Sequence, residues 1–291
     1  MVTGANSGLG LRVATVLALR GARVLLACRS PERGREAVAA VPGSRLVLLD
    51  LADLDSVRRA AAEIRELTGD RLELLVNNAG IPAAREPRDA AGHESVLAVN
   101  HLGHAALTWQ LLPTLRGGAG SRVVTVGSGA ARMPGFDIDD LDFTRRRYRW
   151  TLAYPQSKLA NLVFAQELAR RLAAAGWPML SVTAHPGFAA TNLARAGAHN
   201  QGLGRALAGI VGTVTKVVSQ SVREAALPIL YAATASGVHN GDYFGPTLLG
   251  ENYRGVGPAA LPATATDPAV GHRLWQLTAE MTALRPPIGT G

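Results

Sequence analysis

Tyr154 and Lys158 stand four residues apart at the start of a run in which Leu159, Leu162, Val163, Leu168 and Leu172 recur at helical spacing. That spacing puts both side chains on one helix face and holds an ammonium close to a phenol. An unperturbed phenol titrates near ~10, and a neighbouring cation favours its ionised form, so Tyr154 is a candidate proton-transfer group. Pro155 is tolerated in a first helical turn and biases the residue before it towards extended backbone, which predicts the phenol at the helix mouth. The same Tyr-x-x-x-Lys spacing also serves as a plain surface pair, and by itself it decides nothing.

Other stretches carry complementary chemistry. Thr3-Gly4-Ala5-Asn6-Ser7-Gly8-Leu9-Gly10 runs into a helical pattern at Leu11, Val13, Val16, Leu17 and Leu19. A glycine-rich turn between a strand and a helix lets backbone N–H groups approach a pyrophosphate, whose charge then rests at the helix N-terminus. These glycines depart from the usual Gly-x-Gly-x-x-Gly spacing, so the turn does not establish the site unaided. Arg29 follows the second strand with no acid beside it, which suits an adenosine 2′-phosphate and favours NADP over NAD; a solvated arginine is the plain alternative. Asp50 is placed either to contact adenine or to cap the next helix. Asn77-Asn78-Ala79-Gly80 offers amides and small residues that hold loops together while a cofactor comes close.

Asn100 and Gly103 fall inside a helical pattern over 91–115, where asparagine is indifferent and glycine costs ~1 kcal/mol relative to alanine. That conflict fits a water-holding amide at a distorted turn, or a satisfied buried amide. His101 and His104 are read as packing or capping residues. Ser128 ends the fifth strand, at the ligand edge of a parallel sheet, and Thr191 in the 188–192 stretch would lie over a nicotinamide amide.

Stepwise alternation of apolar strands and amphipathic helices supplies the frame for these groups. Strands are expected at 22–27, 46–49, 72–76, 122–126, 179–184 and 243–246, with the first at the very start of the chain. Only Met1 and Val2 precede Thr3, which is short for a buried strand, and the expectation is that its front is missing. A kinked helix at 219–233 and a final helix at 274–284 complete the chain. The fold class is α/β: a Rossmann-type doubly wound parallel sheet of about seven strands flanked by helices, forming one domain over 1–291. Residues 1–127 would mainly bind dinucleotide and 128–291 mainly serve catalysis and substrate. An ordered insertion is expected at about 129–153 and a lid at about 188–212. Ile81, Pro82, Met133, Trp150 and Phe188 are the candidate apolar pocket.

Composition narrows the field. With 47% hydrophobic and 18% charged residues the 291-residue chain reads as globular, and its single Cys28 forms neither an internal disulfide nor a metal cluster. The net charge of +8 comes mostly from scattered arginine without a recognised nucleic-acid motif, so no nucleic-acid partner is expected. No run has the length and apolarity of an integral membrane segment and no signal peptide is recognisable, which makes cytoplasmic residence the default. The Ala, Gly and Arg bias fits a bacterial gene of high G plus C content.

Taken in order, the glycine turn, Asn77 to Gly80, Asn100, Ser128, Tyr154, Lys158 and Pro186-Gly187 resemble the short-chain dehydrogenase/reductase superfamily over nearly the whole chain. Val-Asn-His-Leu-Gly-His at 99–104, Ala-Tyr-Pro-Gln-Ser-Lys-Leu-Ala-Asn-Leu at 153–162 and His185-Pro186-Gly187 are most similar to the retinol dehydrogenase-like branch and related bacterial oxidoreductases. The resemblance implies an NADP(H)-preferring oxidoreductase that moves hydride between nicotinamide and a small hydrophobic ketone, aldehyde or alcohol. It implies Tyr154 as acid/base, Ser128 orienting the carbonyl or hydroxyl, Lys158 binding ribose and lowering the phenol's pKa, and Asn100 holding a relay water. Cofactor contacts would come from Thr3, Gly4, Ser7, Gly8, Leu9, Gly10, Arg29, Asp50, Leu51, Asn77, Ala79, Gly80, Tyr154, Lys158, Pro186, Gly187 and Thr191. Gly127 departs from the second serine many relatives carry. A homodimer through the helix before Ser128 and the helix of Tyr154 is the expected assembly. A carbon-carbon double-bond reductase and a catalytically silent NADP-binding sensor or scaffold are the alternative readings.

Overall fold

A computed structural model describes residues 1–82, 88–116, 120–187 and 221–289. The expected lid at 188–212, with Phe188 and Thr191, lies outside the described residues.

One sheet organises the molecule. Its strands are β1 (Val2–Thr3), β2 (Leu25–Cys28), β3 (Arg45–Leu48), β4 (Leu74–Asn77), β5 (Ser121–Val126), β6 (Met179–Ala184), β7 (Tyr243–Gly245) and β8 (Gly257–Pro258), ordered β3-β2-β1-β4-β5-β6-β7-β8. All neighbours pair parallel except β7 and β8. The chain order reverses between β1 and β4, and the ends of these two strands bracket the topological switch point where such sheets bind ligands. Among the described residues the sheet has eight strands, one beyond the seven read from the sequence. The extra one is a two-residue Gly-Pro edge, which carries no apolar run that a sequence reading would catch.

Helices cover both faces. On one side α1 (Gly8–Leu19) and α2 (Pro31–Ala40) pack with Val2, Leu26, Val76, Val124 and Val182. On the other, α3 (Leu54–Thr68), α4 (Ser95–Leu97), α5 (Gly103–Arg116) and α6 (Trp150–Ala174) enclose Leu75, Leu107, Leu111, Val123 and Leu162. Parallel strands buried on both faces read as near-continuous apolar runs, as β4 to β6 do. Downstream lie α7 (Val222–Ala225), α8 (Leu227–Thr234), α9 (Ala263–Thr266) and α10 (Pro268–Thr282). Pro228 enters the first turn of α8 instead of kinking one continuous helix.

Two departures bear on the site. α6 starts at Trp150, so Tyr154 and Pro155 sit inside the helix, a turn later than a start at the catalytic phrase would place them. The residues Trp150 to Ala153 wind a preceding turn, and Pro155 merely forgoes the bond to the Thr151 carbonyl. Between α4 and α5 the backbone forms a π-helical turn over Ala98–Leu102, which is the distortion the Asn100 and Gly103 conflict pointed to. Gly103 has a second reason to be glycine: a Cβ there would lie 2.1 Å from the Leu51 carbonyl oxygen.

The stretch over 129–153 is built from short turns. Two 3₁₀ turns, Gly129–Arg132 and Ile138–Asp140, lead to a loop built on the buried Asp140. Its Oδ1 accepts the backbone N–H groups of Thr144 and Arg145, and Oδ2 accepts Arg146 N–H and guanidinium. Among the described residues no helix is long and apolar enough to cross a membrane.

Candidate active site

A cavity of about 650 Å³ opens at the carboxyl ends of β1, β2, β4 and β5, within the range of small-molecule and cofactor sites. Its wall brings together most of the residues expected from sequence: Thr3, Gly4, Ser7, Gly8, Leu9 and Gly10 from the β1–α1 turn, Arg29 after β2, Asp50 and Leu51 after β3, Ala79, Gly80, Ile81 and Pro82 after β4, Ser128 after β5, Tyr154 and Lys158 on α6, and Pro186 and Gly187 after β6. Asn77 and Asn100 stand behind that wall. Met133 and Trp150 are 51% and 43% exposed and do not line it. The apolar side chains beside Tyr154 are instead Ile81, Val96, Phe143, Tyr148, Leu152 and Ala153.

At one end the N-terminus of α1 is left open for an anion. Ser7 is its N-cap but makes no side-chain capping bond, and no acidic residue occupies the first turn. Gly8 takes φ 55° with nothing within 4 Å of where a Cβ would stand. Gly10 has no room for a side chain, because a Cβ would lie 2.5 Å from Asn78 Nδ2 and from the Gly4 carbonyl oxygen. Exposed N–H groups, open space over Gly8 and a tightly folded floor fit a pyrophosphate.

Arg33 and Ser30 join Arg29 in the cavity wall at the start of α2. Glu32, the nearest acid, accepts from Ser30 Oγ at 2.9 Å and faces Arg35 at 3.6 Å, and does not line the cavity. Arg33 stands in the first turn of α2, four residues after Arg29, close enough in the sequence to have been flagged with it. Asp50 is not the helix cap: its Oδ1 accepts from Ala52 N–H at 3.0 Å, while Asp53 caps α3.

The floor is held by a relay of buried bonds. Thr3 Oγ1 accepts the N–H groups of Asn78 and Ala79, each at 2.9 Å, and lies 2.9 Å from His104 Nε2. His104 Nδ1 meets the Asn100 carbonyl at 3.0 Å, which makes Nδ1 the protonated nitrogen and Nε2 an acceptor for the Thr3 hydroxyl. Burial lowers the His104 pKa to about 3 against the opposing pull of that carbonyl, so the ring stays neutral. Asn100 is bonded on both sides of its amide: Oδ1 accepts Ile81 N–H at 2.8 Å, and Nδ2 donates to the Ile81 carbonyl and to Ser157 Oγ, each at 3.0 Å. Asn77 Nδ2 donates to Thr108 Oγ1 at 2.9 Å. His101 is likewise buried, between Asn161 and Thr278.

At the reactive end Ser128 is extended and its Oγ accepts from Ala130 N–H at 3.2 Å, opening the first 3₁₀ turn. Lys158 Nζ donates to the Val126 carbonyl at 3.0 Å and lies 5.9 Å from the Tyr154 ring centroid. Burial depresses the Lys158 pKa to about 8. Burial raises that of Tyr154, with the Ser128 hydroxyl pulling the other way. The shift is thus upward, set by burial, where the spacing to Lys158 suggested a lowered phenol pKa. At Gly127 a Cβ would approach Leu162 Cδ2 to 3.0 Å, a tight contact with the end of a side chain.

A family model described as short chain dehydrogenase matches residues 1–202. The chain is 36% identical to human retinol dehydrogenase 13 over 99% of its own length and 85% of that protein. It is 38% identical to human dehydrogenase/reductase SDR family member 13, covering 98% and 73% of the two chains. Among solved structures, an uncharacterised protein from Mycobacterium paratuberculosis superposes with TM-score 0.79 at 38% identity, over 98% of this chain and 93% of that one. An NADP complex of Pseudomonas aeruginosa RhlG superposes with TM-score 0.63 at 28% identity, over 83% and 91%.

Proposed function

The chain belongs to the short-chain dehydrogenase/reductase family and is an oxidoreductase of that family, and on that premise we propose that it uses NADP(H) in preference to NAD(H) on a hydrophobic ketone, aldehyde or alcohol. The observation that carries the cofactor preference is the end of the cavity beside β2, where Arg29 and Arg33 line the wall and Glu32, the acid that follows β2, does not and so is not placed to accept a ribose 2′-hydroxyl. Two guanidiniums and the N-terminus of α2 suit a 2′-phosphate.

Bound along the cavity, the cofactor supplies or accepts hydride at its nicotinamide. The protein's part is alignment and proton management. Tyr154 gives its proton to the substrate oxygen in reduction, and burial that raises its pKa keeps that proton in place at neutral pH. Ser128 Oγ–H donates to the same oxygen as negative charge develops. Lys158 binds ribose hydroxyls and stabilises the phenolate left behind, and Asn100 holds the Ile81 backbone that borders the substrate. Ile81 in the wall, backed by Phe143, Tyr148 and Leu152, supports a hydrophobic substrate, as do the names of the retinol dehydrogenases to which the chain is similar.

The homodimer expected through α5 and α6 meets an obstacle. α10 lies against α6, its Trp275 ring 4.9 Å from Trp109 of α5 and 5.3 Å from Phe164 of α6. We read this chain as covering that face with its own helix, and light scattering of the purified protein tests the reading by reporting a monomer.

Fluorescence titration with NADPH and NADH tests the cofactor assignment. Arg29→Ala and Arg33→Ala should each weaken NADPH by roughly tenfold or more, the worth of one charge-assisted bond, and leave NADH unchanged. Equal affinity for the two cofactors in the wild-type protein would refute it.

A further inference from the structure

Glu251 belongs to no motif. It lies on the connection between β7 and β8 with φ 65°, and Leu249 and Arg254 beside it are also left-handed at φ 51° and 38°. Non-glycine residues held there cost ~1–3 kcal/mol each and persist where their surroundings over-determine them. For Glu251 the surroundings act on its carboxylate. Oε1 accepts Ala260 N–H at 3.0 Å, and Oε2 pairs with the Arg132 guanidinium, which also donates to the Ala260 carbonyl at 2.8 Å. The same Oε2 lies 3.5 Å from Nε2 of His185.

His185 is fully buried, and burial holds the ring neutral by pushing its pKa down to about 4. Gly187 N–H donates to His185 Nδ1 at 3.3 Å, so Nδ1 is bare and the ring proton is on Nε2, the edge facing Glu251. Nε2 makes no hydrogen bond among the described residues, so the 3.5 Å approach of Glu251 Oε2 is a polar contact short of one. The chain has made room for this arrangement: a Cβ at Gly245 would stand 2.0 Å from that nitrogen.

Both arms lead to the cavity. Arg132 closes the 3₁₀ turn that Ser128 opens, and His185 directly precedes Pro186 and Gly187 in the cavity wall. We propose that Glu251 is a positioning residue for the nicotinamide end of the site, fixing the Ser128 turn through Arg132 and the Gly187 turn through His185. The two loops that would flank the nicotinamide are thereby tied to each other from behind, through a carboxylate that touches neither cofactor nor substrate. This rests on the cofactor reading above and adds a claim of locality: the adenine end, built on β2 and α2, does not depend on Glu251.

That locality is testable with half of the cofactor. 2′,5′-ADP probes the adenine end and NADPH the whole cavity, so both are titrated into wild-type, Glu251→Ala and Glu251→Gln protein. The expected result is 2′,5′-ADP binding within about twofold of wild type in both variants. NADPH affinity falls roughly tenfold in Glu251→Ala, with loss of the bound nicotinamide's enhanced emission. Glu251→Gln, which keeps an acceptor for Ala260 and Arg132, falls between. Unchanged NADPH affinity and emission in Glu251→Ala would overturn the proposal, and so would parallel loss of both ligands in both variants. Wild-type protein that binds NADPH without binding 2′,5′-ADP would overturn the placement of the adenine end, and the locality claim with it.

Discussion

Replacing Lys158 by methionine should stabilise the cofactor-free protein while abolishing its activity. Lys158 is 4% exposed, no carboxylate pairs with its ammonium among the described residues, and burial brings its pKa from 10.5 to about 8. A drop of that size corresponds to about 3 kcal/mol of penalty on the charged form, with each pKa unit worth ~1.4 kcal/mol. The bond to the Val126 carbonyl returns about 1 kcal/mol, so Lys158→Met gains roughly 2 kcal/mol at pH 7. The sign with pH follows from the depressed value. Below about 8 the lysine is charged in both folded and unfolded chains and the full penalty applies. Between about 8 and 10.5 the unfolded chain binds more protons than the folded one, wild-type stability rises, and the advantage of the variant shrinks. Urea denaturation of both proteins at pH 7 and pH 10 measures the difference, with the m-value as a check that the unfolding transition is unchanged. A variant less stable than wild type at pH 7, or an advantage that grows towards pH 10, would refute the reasoning. A catalytic group that costs the fold stability is the expected compromise of an active site.

Substitutions at two further positions probe the scaffold. Gly103→Ala would normally gain ~1 kcal/mol in a helix, yet here it should destabilise by about 1–3 kcal/mol, because its Cβ meets the Leu51 carbonyl at 2.1 Å; thermal unfolding reads the sign. His104→Leu should cost about 2–4 kcal/mol, since the Asn100 carbonyl and the Thr3 hydroxyl each lose a buried partner. His104→Gln, which retains one polar end, should recover part of that loss, and equal melting of the two variants would show that packing alone matters.

The site was legible where backbone geometry forces a residue type. The glycine turn, the Asn78 to Gly80 floor and the Asn100 and Gly103 conflict each name a place where a side chain would collide or a helix must distort, and the structure puts a π-helical turn at the last of these. The succession of strands and helices along the chain followed from the alternation of apolar runs with helical patterns. Features without local necessity were hidden. The β8 edge has no apolar pattern, and the early start of α6 has no capping side chain to announce it. Apolar character singled out Met133 and Trp150, whereas in the structure Phe143 packs with Val96 and Ala153 and Met133 and Trp150 are exposed. Glu251 is the extreme case: its contacts with Arg132 and His185 exist only once three distant loops meet.

Deuterium transfer is the most direct test of the central claim. Protein is incubated with NADPH carrying deuterium at the transferable position and with a panel of hydrophobic ketones and aldehydes, and the products are weighed by mass spectrometry alongside those of Tyr154→Phe. The account predicts alcohol with one deuterium on the former carbonyl carbon from the wild-type protein, and product formation reduced at least ~100-fold in the variant, whose proton donor is gone. Tight NADPH binding without deuterated alcohol across the panel, or transfer undiminished in Tyr154→Phe, would contradict it.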